Sequence, residues 1–331
     1  MDALTAAPSS SLAAPGGVRA VLEAASRAGA DAALALVVET EGSTYVRPGA
    51  VALFGGDAGA EQVGWLSGGC QEPEIAGRAA SAATNGRIEW LDIDTRDDED
   101  LFAGSAVGCR GQLHLALLPL AAMPGWQGLL PAWREGAGAL RWDIDTDGVL
   151  ACTVAGASRH WRLPTSQRED PQHRAWQREL PSPPAVLVFG AGPETPTLVP
   201  WLRRMGWMTT VVERRPRWSA LAALSDTKVS ESPQGALSGL ARRFDAALVM
   251  HHHFELDREA LQALAGSDIG YIGLLGPARR REDLFRVLPD TTRAALQSRL
   301  RSPVGLDLGG QGPEAIALSI VAQLHAYRQR P

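Results

Sequence analysis

The sequence predicts an α/β protein in two parts. A mixed α/β N-terminal domain spans residues 18–163, and a Rossmann-like, doubly wound parallel-sheet domain spans residues 185–331. Three observations predict it. A chain of 331 residues has room for about two domains. Its second half alternates apolar, strand-like runs with helix-like segments, the pattern of a parallel sheet covered on both faces. Between the halves, Pro164–Pro184 is charged, carries five prolines and keeps no sustained period, so it reads as a linker.

The elements follow in order. Residues 1–17, rich in Ala, Ser, Pro and Gly, read as a disordered N-terminus. Val18–Ala30 places Val18, Val21, Leu22 and Ala25 at helical spacing. Ala33–Glu39 is a buried-strand run that ends in turn residues Thr40–Thr44. Ala50–Phe54 and Gln62–Leu66 read as strands joined by a Gly-rich hairpin, Gly55–Ala60. Glu72–Asn85 reads as a helix with Pro73 in its first turn. Ile88–Ile93 and Leu113–Leu118 are further strands. Leu140–Asp145 and Val149–Val154 alternate around Asp147-Gly148, a hairpin signal.

After the linker come strands at Ala185–Phe189, Trp207–Val212, Lys228–Ser230, Ala246–Met250 and Ile269–Leu275. Helices are expected through Leu198–Met205 and over Asp257–Leu264, Arg279–Leu288, Thr291–Arg299 and Glu314–Arg328.

Composition narrows the function classes. The net charge of −5 gives no basic field for nucleic acid. All basic residues but Lys228 are arginine, a bias from which no function follows. Three cysteines, Cys70, Cys109 and Cys152, are too few and too scattered for a disulfide scaffold and fit a reducing cytosol. No basic region precedes an apolar core at the N-terminus, as a signal peptide requires. The longest apolar stretch, near Leu113–Met123, falls short of the roughly 20 residues of a membrane span. The reading is a soluble cytoplasmic protein that engages neither membrane nor nucleic acid.

Three glycine turns in the first domain carry chemistry. Gly42-Ser43-Thr44 follows a strand and precedes Arg47. Ser67-Gly68-Gly69-Cys70 follows another strand and precedes a helix. Gly108-Cys109-Arg110-Gly111 again sets a thiol between glycines. Small residues, hydroxyls and free amides let backbone approach a ligand, and Arg47 can pair with its negative charge. A thiol beside amides and arginine gains thiolate character. The alternative for each is an ordinary turn. Cys152, in an alternating apolar strand, reads as inert core.

In the second domain, Gly190-Ala191-Gly192 joins a strand to a helix, an anion site in principle. The third glycine of a dinucleotide fingerprint is replaced by Thr195, but the acidic residue expected after the second strand is present as Glu213. Glu213 can accept from ribose hydroxyls, or Arg214, Arg215 and Arg217 can meet a phosphate. The other possibility is a scaffold whose glycines only permit tight packing. His251-His252-His253 ends a strand; neighbours there point to opposite faces and do not share one metal ion. No metal site is expected. His252 alone is expected to face the crevice at the sheet's carboxyl edge.

Taken together, the motifs resemble the XdhC/CoxI family of accessory proteins for xanthine dehydrogenase and carbon monoxide dehydrogenase maturation. The matching stretches are GSTYVRPGA (Gly42–Ala50), WLSGGCQE (Trp65–Glu72), GCRG (Gly108–Gly111) and VLVFGAG (Val186–Gly192). They continue with MHHHFELD (Met250–Asp257), YIGLLGPARRR (Tyr271–Arg281) and SPVGLDLGGQGPEAIALSIVAQL (Ser302–Leu324). Two departures stand out: Pro193 and Glu194 replace the family's His after the Rossmann glycines, and Arg47 is shifted by one position from the family's GSTPR pattern.

The resemblance implies an XdhC/CoxI domain followed by a Rossmann-like domain. It also implies a chaperone that transfers rather than turns over. Such a chaperone binds molybdenum cofactor (molybdopterin or its nucleotide form), supports its sulfuration by a cysteine desulfurase, and inserts it into a molybdenum hydroxylase of xanthine dehydrogenase type. A homodimer is expected. The expected cofactor-binding residues are Gly42, Ser43, Thr44, Arg47, Ser67, Gly68, Gly69, Cys70, Gly108, Cys109, Arg110, Gly190, Gly192 and Glu213. The competing reading is an NAD(P)-dependent oxidoreductase that uses Gly190, Gly192 and Glu213.

Overall fold

The structure, a computed structural model, describes residues 17–56, 62–96, 110–166 and 172–329. The chain divides into two compact units between Ser182 and Pro183. Each has its own core. Apart from Gly17, the expected disordered N-terminus lies outside the described residues.

In the first unit, α1 (Val18–Ala25) buries Val21, Leu22 and Ala25 on one face. It stops short of the expected Ala30, where the Ser26 hydroxyl folds back onto the Glu23 carbonyl at 2.8 Å. Next come β1 (Ala33–Gly42), β2 (Val51–Phe54), β3 (Gln62–Val63), α2 (Glu72–Asn85), β4 (Glu89–Asp94) and β5 (Gly111–Pro119). The five strands form an antiparallel sheet of order β3-β2-β1-β5-β4. The apolar run of β1 reflects its central place: Ala33, Ala35 and Val37 face one core, Leu34, Leu36 and Val38 the other.

Helix α2 covers the first face with Ile75, Ala79 and Ala82. Pro73 sits in its first turn, Glu72 and Glu74 complement its N-terminal dipole, and Gly86 ends it in the left-handed conformation.

The other face packs on α1 and on a second sheet. After α3 (Leu130–Arg134) come β6 (Leu140–Asp145), β7 (Val149–Val154), β8 (Ala157–Arg162) and β9 (Ala175–Leu180), in the antiparallel order β8-β7-β6-β9. Trp126, Trp142, Leu150, Cys152 and Trp176 fill this core. Burial pushes the Cys152 thiol far above its ordinary range, in keeping with an inert core residue. Strand β9 corrects the linker reading. It pairs with β6 from Leu140↔Leu180 to Asp145↔Ala175, and the Trp133 indole donates to the Leu180 carbonyl at 3.0 Å. Six of the 21 residues of the expected linker, Ala175–Leu180, are therefore part of the first unit's sheet.

The second unit contains β10 (Ala185–Phe189), α4 (Thr195–Arg204), β11 (Met208–Val212), α5 (Ser219–Ala222) and β12 (Thr227–Val229). It continues with α6 (Pro233–Gly239), β13 (Ala246–Val249), α7 (Phe254–Ala265) and β14 (Tyr271–Leu274). It ends with α8 (Ala278–Val287), α9 (Asp290–Gln297), β15 (Leu300–Arg301) and α10 (Pro313–Arg328). All six strands are parallel, in the order β12-β11-β10-β13-β14-β15. Val186 and Val188 pack with Leu198 and Leu202 of α4 and Ile320 and Leu324 of α10. Leu187 and Phe189 pack with Leu261 and Leu264 of α7 and Leu296 of α9. Helices thus cover both faces, as expected. Each fully buried leucine contributes about 1.5–3 kcal/mol.

One turn offers a direct test. Gly148 takes φ 81°, and a Cβ there would lie 1.9 Å from the Leu163 carbonyl oxygen. Gly148→Ala is expected to cost about 1–3 kcal/mol, read as a lower urea midpoint. An unchanged midpoint would show that the β6–β7 turn yields freely.

Candidate functional site

Register decides which turns share an end of the first sheet. Gly42, closing β1, pairs with Gly111, opening β5, and Asp94, closing β4, pairs with Gln112. Gln62 of β3 pairs with Phe54 of β2, which itself pairs with Ala33, so β3 runs parallel to β1 toward the same end. The Gly42–Thr44 turn, Arg110 and the Ser67–Cys70 turn therefore emerge at one end of the sheet. Gly108 and Cys109 lie outside the described residues, immediately before Arg110.

Backbone packing explains two of these glycines. Ser43 N–H donates to the Arg110 carbonyl at 3.1 Å. A Cβ on Gly42 would lie 2.6 Å from that oxygen, and one on Gly111 would lie 2.5 Å from the Glu41 carbonyl oxygen. The Thr44 hydroxyl is used inside the turn, donating to the Val46 carbonyl at 2.6 Å. Ser43 is exposed. Arg47 is exposed too, and its guanidinium has no partner among the described residues.

The Ser67–Cys70 turn is built on a buried carboxylate. Glu72 Oε1 accepts the amides of Ser67 at 2.8 Å and Leu66 at 3.2 Å, and Oε2 accepts the Ser67 hydroxyl. Ser67 Oγ in turn accepts the amides of Gly69 at 3.2 Å and Gln71 at 3.1 Å. Ser67 and Glu72 are buried, while Gly68, Gly69 and Cys70 are exposed. The amides of Gly68 and Cys70 have no protein acceptor among the described residues. The Cys70 thiol stands 3.9 Å from Ser67 Oγ, at the start of α2. Tyr45 and Trp65, both exposed, flank the two turns. The end of the sheet thus offers amides and a cation without partners among the described residues, and an accessible thiol, a donor set for an anionic or soft ligand. Ser67, expected as a ligand contact, serves instead as the internal strut of the turn. Glu72 had no expected role, and its signal was a hydroxyl and an acid five residues apart around a helix start.

The second unit's crevice lies past the carboxyl ends of β10 and β13. Gly190, at φ 95°, is there for backbone proximity: a Cβ would lie 2.7 Å from the backbone N and Cα of His251. Glu213, expected to meet ribose, is committed internally. Its Oε2 accepts the Ala191 amide at 2.8 Å, and its Oε1 accepts the Arg215 amide at 2.7 Å. The Arg215 guanidinium holds both oxygens and also donates to the carbonyls of Ala191 and His251. Burial pushes the Glu213 carboxyl up, but the bonds from Arg215 and Ala191 outweigh it and hold it below the ordinary range.

At the end of β13 the His252 side chain is half-exposed, while His251 is buried. Asp257 Oδ1 accepts from the His251 amide and faces its Nδ1, both at 3.1 Å, while Arg280 holds Oδ2. His252 Nε2 lies 3.1 Å from Glu194 Oε2. No group of three or more metal-ligating side chains occurs among the described residues. Arg280 was beyond reach of sequence reasoning, since 23 residues separate it from Asp257.

Residues 186–324 match the profile described as the XdhC Rossmann domain, and residues 25–94 match that of the XdhC and CoxI family. The chain belongs to the XdhC/CoxI family. A Bacillus subtilis (strain 168) protein, named for its probable place in xanthine dehydrogenase, is 28% identical over 320 residues, covering 91% of this chain and 94% of its own length. YqeB of Escherichia coli (strain K12), an uncharacterised protein, is 36% identical over 69 residues, 20% of this chain and 13% of that protein. A crystal structure described as a xanthine dehydrogenase from Bacillus halodurans shares 28% identity and a TM-score of 0.74, covering 94% of this chain and 96% of that one. Among the described residues, no helix is long and apolar enough to cross a membrane.

The His251–Asp257–Arg280 group of this XdhC/CoxI protein sets a pH dependence. Burial pushes the Asp257 carboxyl up, but hydrogen bonds from His251 and Arg280 outweigh it and hold the group below the ordinary carboxylate range. A depressed folded-state pKa gives stability that is present above the unfolded value, about 4, and lost as pH falls through the folded value. Urea midpoints are expected to fall below about pH 4. Asp257→Asn should lower the neutral midpoint and flatten that acid limb; an acid limb identical to wild type would refute the assignment.

Proposed function

We propose that this chain is a maturation chaperone for a molybdenum hydroxylase of xanthine dehydrogenase type, holding molybdenum cofactor at the turn end of its first sheet. One observation carries the reading. The amides of Gly68 and Cys70, the Arg47 guanidinium and the Cys70 thiol, all without strong partners among the described residues, share one end of a sheet in an XdhC/CoxI protein. The names of the B. subtilis and B. halodurans relatives, both placed with xanthine dehydrogenase, support the client.

The donor set fits the cofactor. Its phosphate suits Arg47, the Ser43 hydroxyl and the exposed amides of Gly68 and Cys70. Its molybdenum and dithiolene would supply soft, sulfur-centred chemistry, to which the Cys70 sulfur is matched. The remaining work belongs to the protein. Glu72 and Ser67 fix the turn that carries the exposed residues Gly68 and Cys70. Gly42 and Gly111 let β1 and β5 close tightly enough to place Ser43 beside Arg110. In this reading a cysteine desulfurase supplies sulfur while the cofactor is held, and the client then receives it. A homodimer is part of the proposal.

The purified chain, incubated with molybdenum cofactor and passed through gel filtration, is expected to retain pterin fluorescence. A charge-assisted hydrogen bond contributes about 1.5–3 kcal/mol, so Arg47→Ala should weaken retention roughly tenfold or more. Cys70→Ala should reduce it as well. Retention by wild type no greater than by an unrelated protein would sink the reading.

A further inference from the structure

A parallel sheet of this order binds dinucleotides past the carboxyl ends of its central strands. The glycine-turn amides and the helix N-terminus take the pyrophosphate, and the acid after the second strand takes the ribose. In this chain every one of those positions has an internal occupant. The Gly192 amide donates to Thr195 Oγ1 at 2.9 Å, and the Ala191 amide donates to Glu213. Both Glu213 oxygens are held by Arg215.

The start of α4 is filled as well. Glu194, its N-cap residue, is 4% exposed, so a buried carboxylate belongs to the residue from which the helix starts, although it makes no side-chain capping bond. A Cβ on Gly192 would lie 3.2 Å from Glu194 Oε2 and 3.3 Å from His252 Cδ2. His252 adopts φ 54°, a left-handed conformation that non-glycine residues rarely take. That conformation turns its ring toward Glu194 and against the glycine turn. A phosphate brought here would meet two buried carboxylates, Glu194 and Glu213, and no free turn amide at residue 191 or 192.

We infer that the Glu194–His252 pair stands in for the dinucleotide phosphate, so that the Rossmann crevice of this chain is closed to NAD(P). The closure concerns the second unit alone and is independent of the cofactor reading for the first. It removes the oxidoreductase alternative on the ground of these residues' own hydrogen bonds.

Two measurements on the full chain decide it. NADH and NADPH are titrated by calorimetry, and the His252 imidazole is titrated by NMR in wild type and in Glu194→Gln. His252 faces Glu194 on the turn, with Asp257 of α7 and Arg280 of α8 acting on it from farther away. The hydrogen bond to Glu194 raises the His252 pKa, so wild type should titrate above the ordinary histidine value and Glu194→Gln closer to it. Wild type should show no saturable binding of either nucleotide at millimolar concentration. Saturable binding by wild type overturns the inference. So does a His252 titration that is the same in both proteins, because Glu194 would then not be its partner.

Discussion

A glycine turn leaves amides that neither a strand nor a helix can satisfy, and each one that is buried must find an acceptor or cost about 1–3 kcal/mol. Both units of this chain answer with a buried carboxylate. In the first, Glu72 takes the amides of Leu66 and Ser67. In the second, Glu213 takes those of Ala191 and Arg215. The shape of each of these two glycine turns depends on its carboxylate. Without Glu72 the Ser67 hydroxyl loses its anchor, and with it the amides of Gly69 and Gln71.

The two turns are alike in composition and opposite in outcome. At Ser67–Cys70 the carboxylate and the hydroxyl take the inner amides, and the outer ones, of Gly68 and Cys70, stay free and exposed. At Gly190–Gly192 the internal acceptors take the amides that a ligand would need, and Glu194 fills the helix start. The difference lies in where the acid sits. Glu72 follows its turn as the first residue of α2 and reaches back beneath it. Glu194 lies between the turn and α4, with its carboxylate against Gly192 of the turn.

Much of the fold was legible because local signals agreed with tertiary context. Glu72–Asn85 has a helical apolar period, an early proline and a C-terminal glycine, and Leu140–Val154 alternates around Asp-Gly. Strand β9 was hidden because only Trp176 and Leu180 of its six residues are buried, and arginine, glutamine and glutamate lie between them among flanking prolines. Its partners are set by β6, far away in sequence. The internal bonds of Glu213 were hidden for a related reason. The spacing of a dinucleotide motif fixes where a carboxylate falls, but not whether Arg215, two residues on, has already claimed it. The end-of-sheet cluster was legible only as separate turns; the strand register brings the Gly42–Thr44 and Ser67–Cys70 turns and Arg110 to one end.

Under the proposed function, that arrangement bears on transfer. A ligand that must be handed on cannot be sealed in a cavity, since release would then require opening the core. Exposed amides on a turn braced from beneath by Glu72 and Ser67 are preorganised without being enclosed, so little ordering is needed on binding and no core is disrupted on release. Arg47 adds charge from a loop tied to β1 through the Gly49 amide, which donates to the Val37 carbonyl at 2.8 Å. The rigid parts are backbone and buried carboxylate, and the parts left for a ligand are amides, a guanidinium and a thiol. A site assembled this way holds by several modest contacts rather than by burial, and each of them can be exchanged one at a time for a contact with a receiving protein.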